Sequence, residues 1–209
     1  MLTVANLGCE RDERVLFDQL SLTVGSGMLM QIQGANGSGK TTVLRILAGL
    51  NSEYTGTVSW QGKPCRQVQQ EFQQALFYLG HAPAINRTLT PLQNLRWFCA
   101  LHGFSDDVAI HTALQELGLA GYADIPCHQM SAGQQRRVSL ARLSLTTAPL
   151  WIMDEPFTAL DRQGVSELEA RIDRHAKNGG AVILTTHHSL QTTHLLTVVN
   201  LDALRMEVA

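Results

Sequence analysis

The sequence lacks a hydrophobic run long enough to cross a bilayer, since no window approaches the roughly 18 consecutive apolar residues that a transmembrane helix requires. Its amino terminus shows no basic segment followed by an apolar stretch, so we expect no secretory signal. It also lacks an excess of basic residues, and its formal net charge is −2. We therefore expect no direct nucleic-acid binding, and a role at a membrane would have to come through a partner protein.

Paired cysteines are also missing. No C-x-x-C pair occurs, which argues against a zinc motif or a disulfide framework and predicts free thiols in a reducing cytoplasm. Cys127-His128 does not form the C-x-x-C-H haem attachment motif, because Asp124 stands where that motif needs another cysteine. We therefore predict no direct haem binding. The four cysteines are Cys9, Cys65, Cys99 and Cys127.

A phosphate-binding loop is the most informative stretch that is present. It fits the pattern G-x-x-x-x-G-K-[ST], in which backbone N–H groups surround an anion while the lysine and hydroxyl reach the terminal phosphate and its metal. Residues 28–33 before the loop predict a buried strand, and residues 42–48 after it predict a helix. A nucleotide is the predicted ligand, and an ordinary glycine-rich turn is the alternative. The loop residues are Gly34, Ala35, Asn36, Gly37, Ser38, Gly39, Lys40, Thr41 and Thr42.

The order of strand and helix patterns predicts an α/β fold with a mainly parallel sheet. Apolar residues at period two in 2–4 and 20–24 predict half-exposed strands of an amino-terminal antiparallel subdomain. Further along the chain, strands are predicted at 57–60, 75–79, 150–153 and 181–184, and helices at 162–177 and around Leu190.

Consecutive helical patterns interrupt this alternation in the middle of the chain. Thr90-Pro91 is typical of a helix start, and a second helix is predicted from Asp107 to Leu117, closed by Gly118. We therefore predict one domain over residues 1–209, with a helical subdomain inserted at about 87–147.

Two acidic residues, Asp154 and Glu155, directly follow the predicted strand at 150–153. They are thus expected at the carboxyl end of a strand, where open α/β sheets bind ligands. We assign Asp154, together with Thr41, to Mg²⁺ and Glu155 to the general base that polarises the attacking water. The alternative is a helix-capping acid pair before Pro156.

The stretch from Met130 to Val138 opens a helix with small residues, and it resembles the signature motif of ATP-binding cassette (ABC) proteins. Three further segments resemble that family's motifs in the family's order, so the resemblance covers essentially the whole chain. They are 150–155 for the second Walker motif, 158–161 for the D-loop and Thr186-His187 for the switch histidine.

The ABC resemblance implies a P-loop ATPase that forms a head-to-tail dimer with two ATP molecules at its interface. His187 would contact the γ-phosphate or orient the water. The signature residues would bind the ATP held by the partner subunit's phosphate loop; they are Ser131, Ala132, Gly133 and Gln134.

Three positions depart from the family pattern. Ala132 replaces the first signature glycine, and its methyl group is tolerated only if the backbone there keeps a negative φ. His81 stands where the Q-loop glutamine is usual, and an imidazole can still hydrogen-bond water near Mg²⁺. Arg11 aligns with the aromatic residue that stacks on adenine, and a solvated loop arginine is the alternative.

The length, the surroundings of His81, the signature and residues 185–188 are similar to the ATP-binding subunit of the bacterial cytochrome c maturation transporter, a haem exporter. This resemblance implies a peripheral protein on the cytoplasmic face of the inner membrane. There it would couple ATP hydrolysis to integral membrane subunits that handle haem. The alternatives are an ABC subunit for another substrate, a soluble cassette in translation or DNA repair, and a nucleotide-sensing subunit that does not hydrolyse ATP.

Overall fold

The computed structural model describes residues 1–12 and 14–204 of the chain. The chain divides into two compact units. The first consists of residues 1–78, 148–156 and the chain from 169 onward, and the second consists of residues 79–147 and 157–168.

A five-stranded sheet lies at the centre of the first unit, in the order β6-β7-β8-β3-β9. Pairing is parallel between β7 and β8, between β3 and β8, and between β3 and β9, as expected from the sequence. Every residue of β7 and β8 is buried. This agrees with their nearly continuous apolar runs, which are typical of strands covered on both faces. The strands of this sheet are β3 (Leu29–Gln33), β6 (Leu76–Leu79), β7 (Leu150–Asp154), β8 (Ala181–Thr185) and β9 (Leu196–Asn200).

A second, antiparallel sheet in the order β2-β1-β4-β5 confirms the amino-terminal β subdomain. Leu2 pairs with Val24 on one side and with Trp60 on the other. These apolar residues alternate with exposed ones, so one face of the sheet joins the core. The strands are β1 (Leu2–Arg11), β2 (Arg14–Val24), β4 (Thr55–Trp60) and β5 (Lys63–Pro64).

Several helices begin at a residue whose side chain caps them, among them Thr90, Asp106 and Ser131. Thr90 and Gln93 form a reciprocal capping box with Pro91 at the first helical position, which confirms the predicted start. Within residues 1–12 and 14–204, no helix is long and apolar enough to cross a membrane. The helices are α1 (Lys40–Leu47), α2 (Gln69–Gln74), α3 (Pro91–Leu101), α4 (Asp107–Glu116), α5 (Ala132–Ala141) and α6 (Arg162–Lys177). Helices α3, α4 and α5 belong to the second unit, and the limits of 87–147 stay a prediction.

The helix predicted around Leu190 is wrong, because residues 186–195 form neither helix nor strand. Backbone N–H groups of this segment donate to side chains instead of to carbonyls one helical turn earlier. The N–H of Gln191 donates to a carboxylate oxygen of Glu169 at 2.7 Å, and the N–H of Thr193 donates to Asp173 at 3.1 Å. Side-chain acceptors thus replace the helical hydrogen bonds that the sequence pattern suggested.

A histidine stacks on a tryptophan at the end of α6. The rings of Trp151 and His175 are 3.7 Å apart and inclined by 7°. Burial lowers the pKa of the His175 imidazole below its ordinary 6.5, and the contact of Nε2 with Pro149 O, at 3.3 Å, offsets this only in part. The folded protein therefore favours neutral His175, so the unfolded chain binds a proton first as the pH falls.

For His175→Phe, which keeps a planar ring against Trp151 but cannot be protonated, we expect a shallower pH dependence of stability. As the pH falls through 6.5, the parent's free energy of unfolding should decline more steeply than the variant's. Denaturant unfolding followed by circular dichroism measures both slopes. His111→Gln, at an exposed position on α4, is the control and should follow the parent. Equal slopes for the parent and His175→Phe would contradict the assignment.

Candidate functional site

The phosphate loop joins β3 to α1 in the first unit. Gly39 precedes the helix with φ at 96°, a conformation that glycine adopts without strain. The Lys40 ammonium folds back over the loop and donates to Gly34 O at 2.8 Å and to Ala35 O at 3.1 Å. The loop thus holds its lysine at the amino end of α1, where unpaired N–H groups favour an anion.

A cavity of about 320 Å³ opens beside this loop. Lys40 and His187, which are far apart in the sequence, both line this cavity. Its lining residues are Gln31, Ile32, Gln33, Gly34, Lys40, Thr186, His187, His188 and Ser189.

Asp154 is a buried carboxylate that accepts hydrogen bonds from two threonines. Asp154 is only 2% exposed. Thr41 Oγ1 donates to its Oδ2 at 2.8 Å, and Thr185 Oγ1 donates to its Oδ1 at 2.7 Å. Because a buried carboxylate needs such donors, these bonds fix the acid relative to the first turn of α1 and the end of β8.

Glu155 adopts an unusual backbone conformation, with φ at 45°. Its N–H donates to Thr185 Oγ1 at 3.1 Å and to Thr185 O at 3.2 Å. A positive φ is unfavourable for a residue with a long side chain, so surrounding contacts must hold it. The hydroxyl of Thr185 therefore contacts both acids, as donor to Asp154 and as acceptor from Glu155.

His187 lies beside Glu155. Its N–H donates to Glu155 Oε2 at 3.3 Å, and its Nε2 is 3.6 Å from Glu155 Oε1. The Glu155 side chain is 19% exposed, whereas the His187 side chain is 70% exposed. The pair thus combines a largely buried carboxylate with an imidazole that reaches towards solvent.

The signature residues open α5 in the second unit. Ser131 is the N-cap, and its Oγ accepts from Gln134 N at 3.2 Å while Gln134 Oε1 accepts from Ser131 N at 2.9 Å. Ala132 is the first residue of this helix, so its backbone meets the negative-φ condition and the methyl group introduces no strain. The side chain of Gln134 thus has a capping contact in addition to its predicted binding role.

Gly133 packs against the segment that resembles a D-loop. A methyl group at Gly133 would lie 2.9 Å from Ala159 O, so a larger residue would require movement. The Arg137 guanidinium donates to both carboxylate oxygens of Asp161 at 2.8 Å. The hydrogen bond from Gly164 N and this guanidinium hold the pKa of Asp161 below its ordinary value. These contacts fix the D-loop-like segment next to α5.

His81 lies in an exposed loop of the second unit. The guanidinium of Arg136, a residue only 2% exposed, donates to Gly80 O at 3.0 Å and to His81 O at 3.4 Å. A buried cation on α5 therefore holds the backbone of His81.

Arg11 lies at the end of β1, with its side chain 75% exposed and Nε 3.6 Å from Asp12. Its predicted stacking on adenine stays a prediction.

Sequence reasoning missed three residues that contact the site. Thr185 looked like one more residue of a strand, so its hydroxyl gave no signal. Asp202, whose carboxylate accepts from Ala35 N at 2.8 and 3.1 Å, is distant in sequence. Gln31 did give a signal as a polar residue within an apolar strand; it is 6% exposed, and its Nε2 donates to Thr186 O at 3.1 Å.

The family model described as ABC transporter matches residues 17–158. The chain belongs to the ABC transporter ATPase family. Cytochrome c biogenesis ATP-binding export proteins CcmA are similar over most of this ABC ATPase's length. Those of Pseudomonas putida and Vibrio cholerae are each 53% identical; the matches cover 91% of this chain and 90% and 92% of the relatives. The Hahella chejuensis protein of the same name is 47% identical, with 97% of this chain and 96% of the relative covered.

Solved structures confirm the fold of this ABC ATPase. An ATP-binding subunit of an ABC transporter superimposes with a TM-score of 0.79 at 25% identity, covering 90% of this chain and 79% of the other. An ABC transporter ATP-binding protein from Pyrococcus furiosus gives 0.83 at 23% identity, covering 98% and 99%. A dimeric ATP-binding cassette bound to ADP and phosphate gives 0.80 at 22% identity, covering 90% and 88%.

Replacing Thr185 separates the effect of its hydroxyl from that of its shape. Thr185→Val removes the donor to Asp154, so we expect a loss of about 1–3 kcal/mol in the free energy of unfolding. We also expect ATP turnover to fall on the order of tenfold, because both acids lose a positioning contact. Thr185→Ser keeps the hydroxyl and should stay near the parent. Denaturant unfolding and steady-state ATPase assays measure the two effects, and equal behaviour of the two variants would exclude this role.

Proposed function

We propose that this protein is the ATP-hydrolysing subunit of an ABC transporter complex that serves c-type cytochrome maturation, where it couples hydrolysis to membrane subunits that handle haem. The observation that carries the proposal is the arrangement of Asp154, Glu155 and His187 beside the phosphate loop. The curated relatives named CcmA support the pathway.

ATP would bind with its phosphates in the loop from Gly34 to Thr42. The amino end of α1 supplies N–H groups and a favourable dipole, and Lys40 supplies the positive charge. The bonds from Lys40 to Gly34 O and Ala35 O would be exchanged for bonds to phosphate oxygens. Arg11 is proposed to stack on the adenine.

Thr41 and Asp154 fit a magnesium ion. Their side-chain oxygens are 2.8 Å apart, and hydroxyl and carboxylate oxygens are the ligands that Mg²⁺ prefers. Protein magnesium sites often use only one or two carboxylates together with substrate phosphates. When bound, the ion would neutralise negative charge on the phosphates of ATP.

Glu155 would act as the general base. Its carboxylate would accept a proton from water while the water oxygen bonds to the γ-phosphorus and the bond to the oxygen bridging the β- and γ-phosphates breaks, releasing ADP and phosphate. His187 would contact the γ-phosphate or orient the water. His81 is proposed to hydrogen-bond water near the metal in place of the usual glutamine.

The signature residues support a head-to-tail dimer. Ser131 Oγ accepts a hydrogen bond from Gln134 N, so its hydroxyl proton is available to donate. The N–H groups of Ala132 and Gly133 lie in the first helical turn, where helices bind anions. We propose that these groups bind the γ-phosphate of ATP held by a second copy of the chain.

A groove in the second unit is the proposed docking surface for a membrane subunit. It has a volume of about 480 Å³ and is lined largely by apolar residues, including Ile85, Leu95, Trp97 and Phe98. Trp97 and Leu101, one turn apart on α3, are 62% and 63% exposed. Such an exposed apolar surface suits a partner helix and would hold the protein at the cytoplasmic face of the inner membrane.

For Glu155→Gln we expect ATP binding close to that of the parent but hydrolysis at least ~100-fold slower, because the amide cannot accept the proton. The variant should accumulate as an ATP-bound dimer in size-exclusion chromatography. Glu71→Gln, at an exposed position on α2, is the matched control and should hydrolyse ATP normally. Unchanged turnover in Glu155→Gln would remove Glu155 from the role of base.

For Trp97→Glu we expect release of the protein from membranes, since a charge would disrupt apolar docking, with unchanged ATP binding by the purified protein. Purification of the parent from membranes should bring along integral membrane subunits of cytochrome c maturation, identified by mass spectrometry. Leu195→Glu, at an 89% exposed position in the first unit, should stay membrane-bound. Recovery of the parent only in the soluble fraction, or with membrane subunits of another pathway, would contradict the proposal.

A further inference from the structure

The segment that follows β8, residues 186–194, carries His187 and is held from one side by α6. Two acidic residues of that helix, Glu169 and Asp173, are four positions apart and therefore lie on one helical face. Both belong to the first unit, as does the segment itself. We call residues 186–194 the switch segment.

Glu169 binds two groups of the switch segment through one oxygen. Its Oε1 accepts from Gln191 N at 2.7 Å and lies 3.0 Å from His188 Nε2. The Glu169 side chain is only 11% exposed, so water competes little for these contacts. Hydrogen bonds to an ionised carboxylate are about twice as strong as those to a neutral acceptor.

Asp173 binds the next part of the switch segment through both oxygens. Its Oδ1 accepts from Thr192 Oγ1 at 2.5 Å, and its Oδ2 accepts from the N–H and the hydroxyl of Thr193, each at 3.1 Å. Burial alone would raise the pKa of Asp173, but the hydrogen bonds from the two threonines outweigh it and lower the pKa. The carboxylate is thus charged at neutral pH and accepts these bonds as an anion.

These anchors begin directly after His187. The His187 side chain is 70% exposed and therefore has little packing of its own to fix it. Its place beside Glu155 depends on the backbone, whose N–H at His187 donates to Glu155 Oε2 at 3.3 Å. Without anchors, a segment with neither helix nor strand would sample many conformations.

We propose that Glu169 and Asp173 are positioning residues for ATP hydrolysis, which hold the switch segment so that His187 stays beside Glu155. The inference rests on the role of His187 in the proposed function. Neither acid lines the cavity beside the phosphate loop; both act through their contacts with backbone and side-chain groups of the segment. Misplacing a reacting group by about 1 Å can reduce a rate by about two orders of magnitude, so such anchoring has a measurable effect.

The test uses Glu169→Gln and Asp173→Asn, which keep side-chain size but remove charge. We expect kcat to fall on the order of tenfold, with KM for ATP within about twofold of the parent, because the variants leave the phosphate loop, which would hold most of the triphosphate, unaltered. Hydrogen exchange at the amides of Gln191 and Thr193 should accelerate. Glu167→Gln is the matched control, since this acid of the same helix contacts Gln163 of that helix and should change neither quantity.

A double-mutant cycle with His187→Ala separates positioning from a general loss of stability. If the acids act through His187, adding Glu169→Gln to His187→Ala should cause little further loss of kcat. An equal loss in both backgrounds would overturn the proposal. Unchanged amide exchange, or faster exchange with unchanged kcat, would also overturn it.

Two further results complete the test. Thr193→Val removes a partner on the segment without altering α6, so it reports on the same anchors if the acid variants fail to fold. It should lower kcat, as the two acid variants do, and an unchanged kcat would contradict the proposal. Full turnover in His187→Ala alone would refute the role of His187 and, with it, this inference. That result leaves the assignment of Glu155, tested by Glu155→Gln, standing.

Discussion

The hydrogen bonds to the Asp154 carboxylate are the interaction on which the rest of the site depends. A carboxylate that is 2% exposed needs hydrogen-bond donors in place of the lost water, and Thr41 and Thr185 provide them. Thr41 belongs to the helix that follows the phosphate loop, and Thr185 ends the neighbouring strand. Satisfying one buried acid thus sets the separation between the phosphate loop, the end of β7 and the segment that follows β8.

Local sequence signals predicted the parts of the fold that local chemistry determines. The apolar run before the phosphate loop became β3, and Thr90-Pro91 became a capped helix start, because periodicity and capping act within a few residues. The parallel sheet followed from the alternation of strands and helices. Glu155 and His187 were predicted as members of one site, and in the structure His187 Nε2 lies 3.6 Å from Glu155 Oε1.

The signals failed where distant residues decide the structure. The helix predicted around Leu190 is absent because Glu169 and Asp173, on a preceding helix, take up the N–H groups that a helix would use. Nothing in the sequence distinguishes Thr185 from other buried strand residues. Only the pairing of β7 with β8 shows that its hydroxyl reaches Asp154. The roles of such residues are set by tertiary contacts, and no local sequence pattern marks them.

In the signature helix α5, the packing tolerates a side chain at one small residue but requires glycine at the next. Ala132 replaces a glycine of the family pattern without backbone strain, because it is the first residue of a regular helix. Gly133 is different, since a methyl group there would meet Ala159 O at 2.9 Å. The departure from the family pattern therefore falls at the position where this chain tolerates a side chain.

The positive φ of Glu155 sets the proposed role of this residue in hydrolysis against folding stability. Glycine or asparagine would adopt a φ of 45° more easily than glutamate does, so either would relieve strain while removing the carboxylate. The glutamate persists there at the expense of the fold's own stability, which is the pattern of a stability–activity trade-off. Selection for thermal stability alone would thus tend to remove the carboxylate that we propose activates water, and only selection for turnover would retain it.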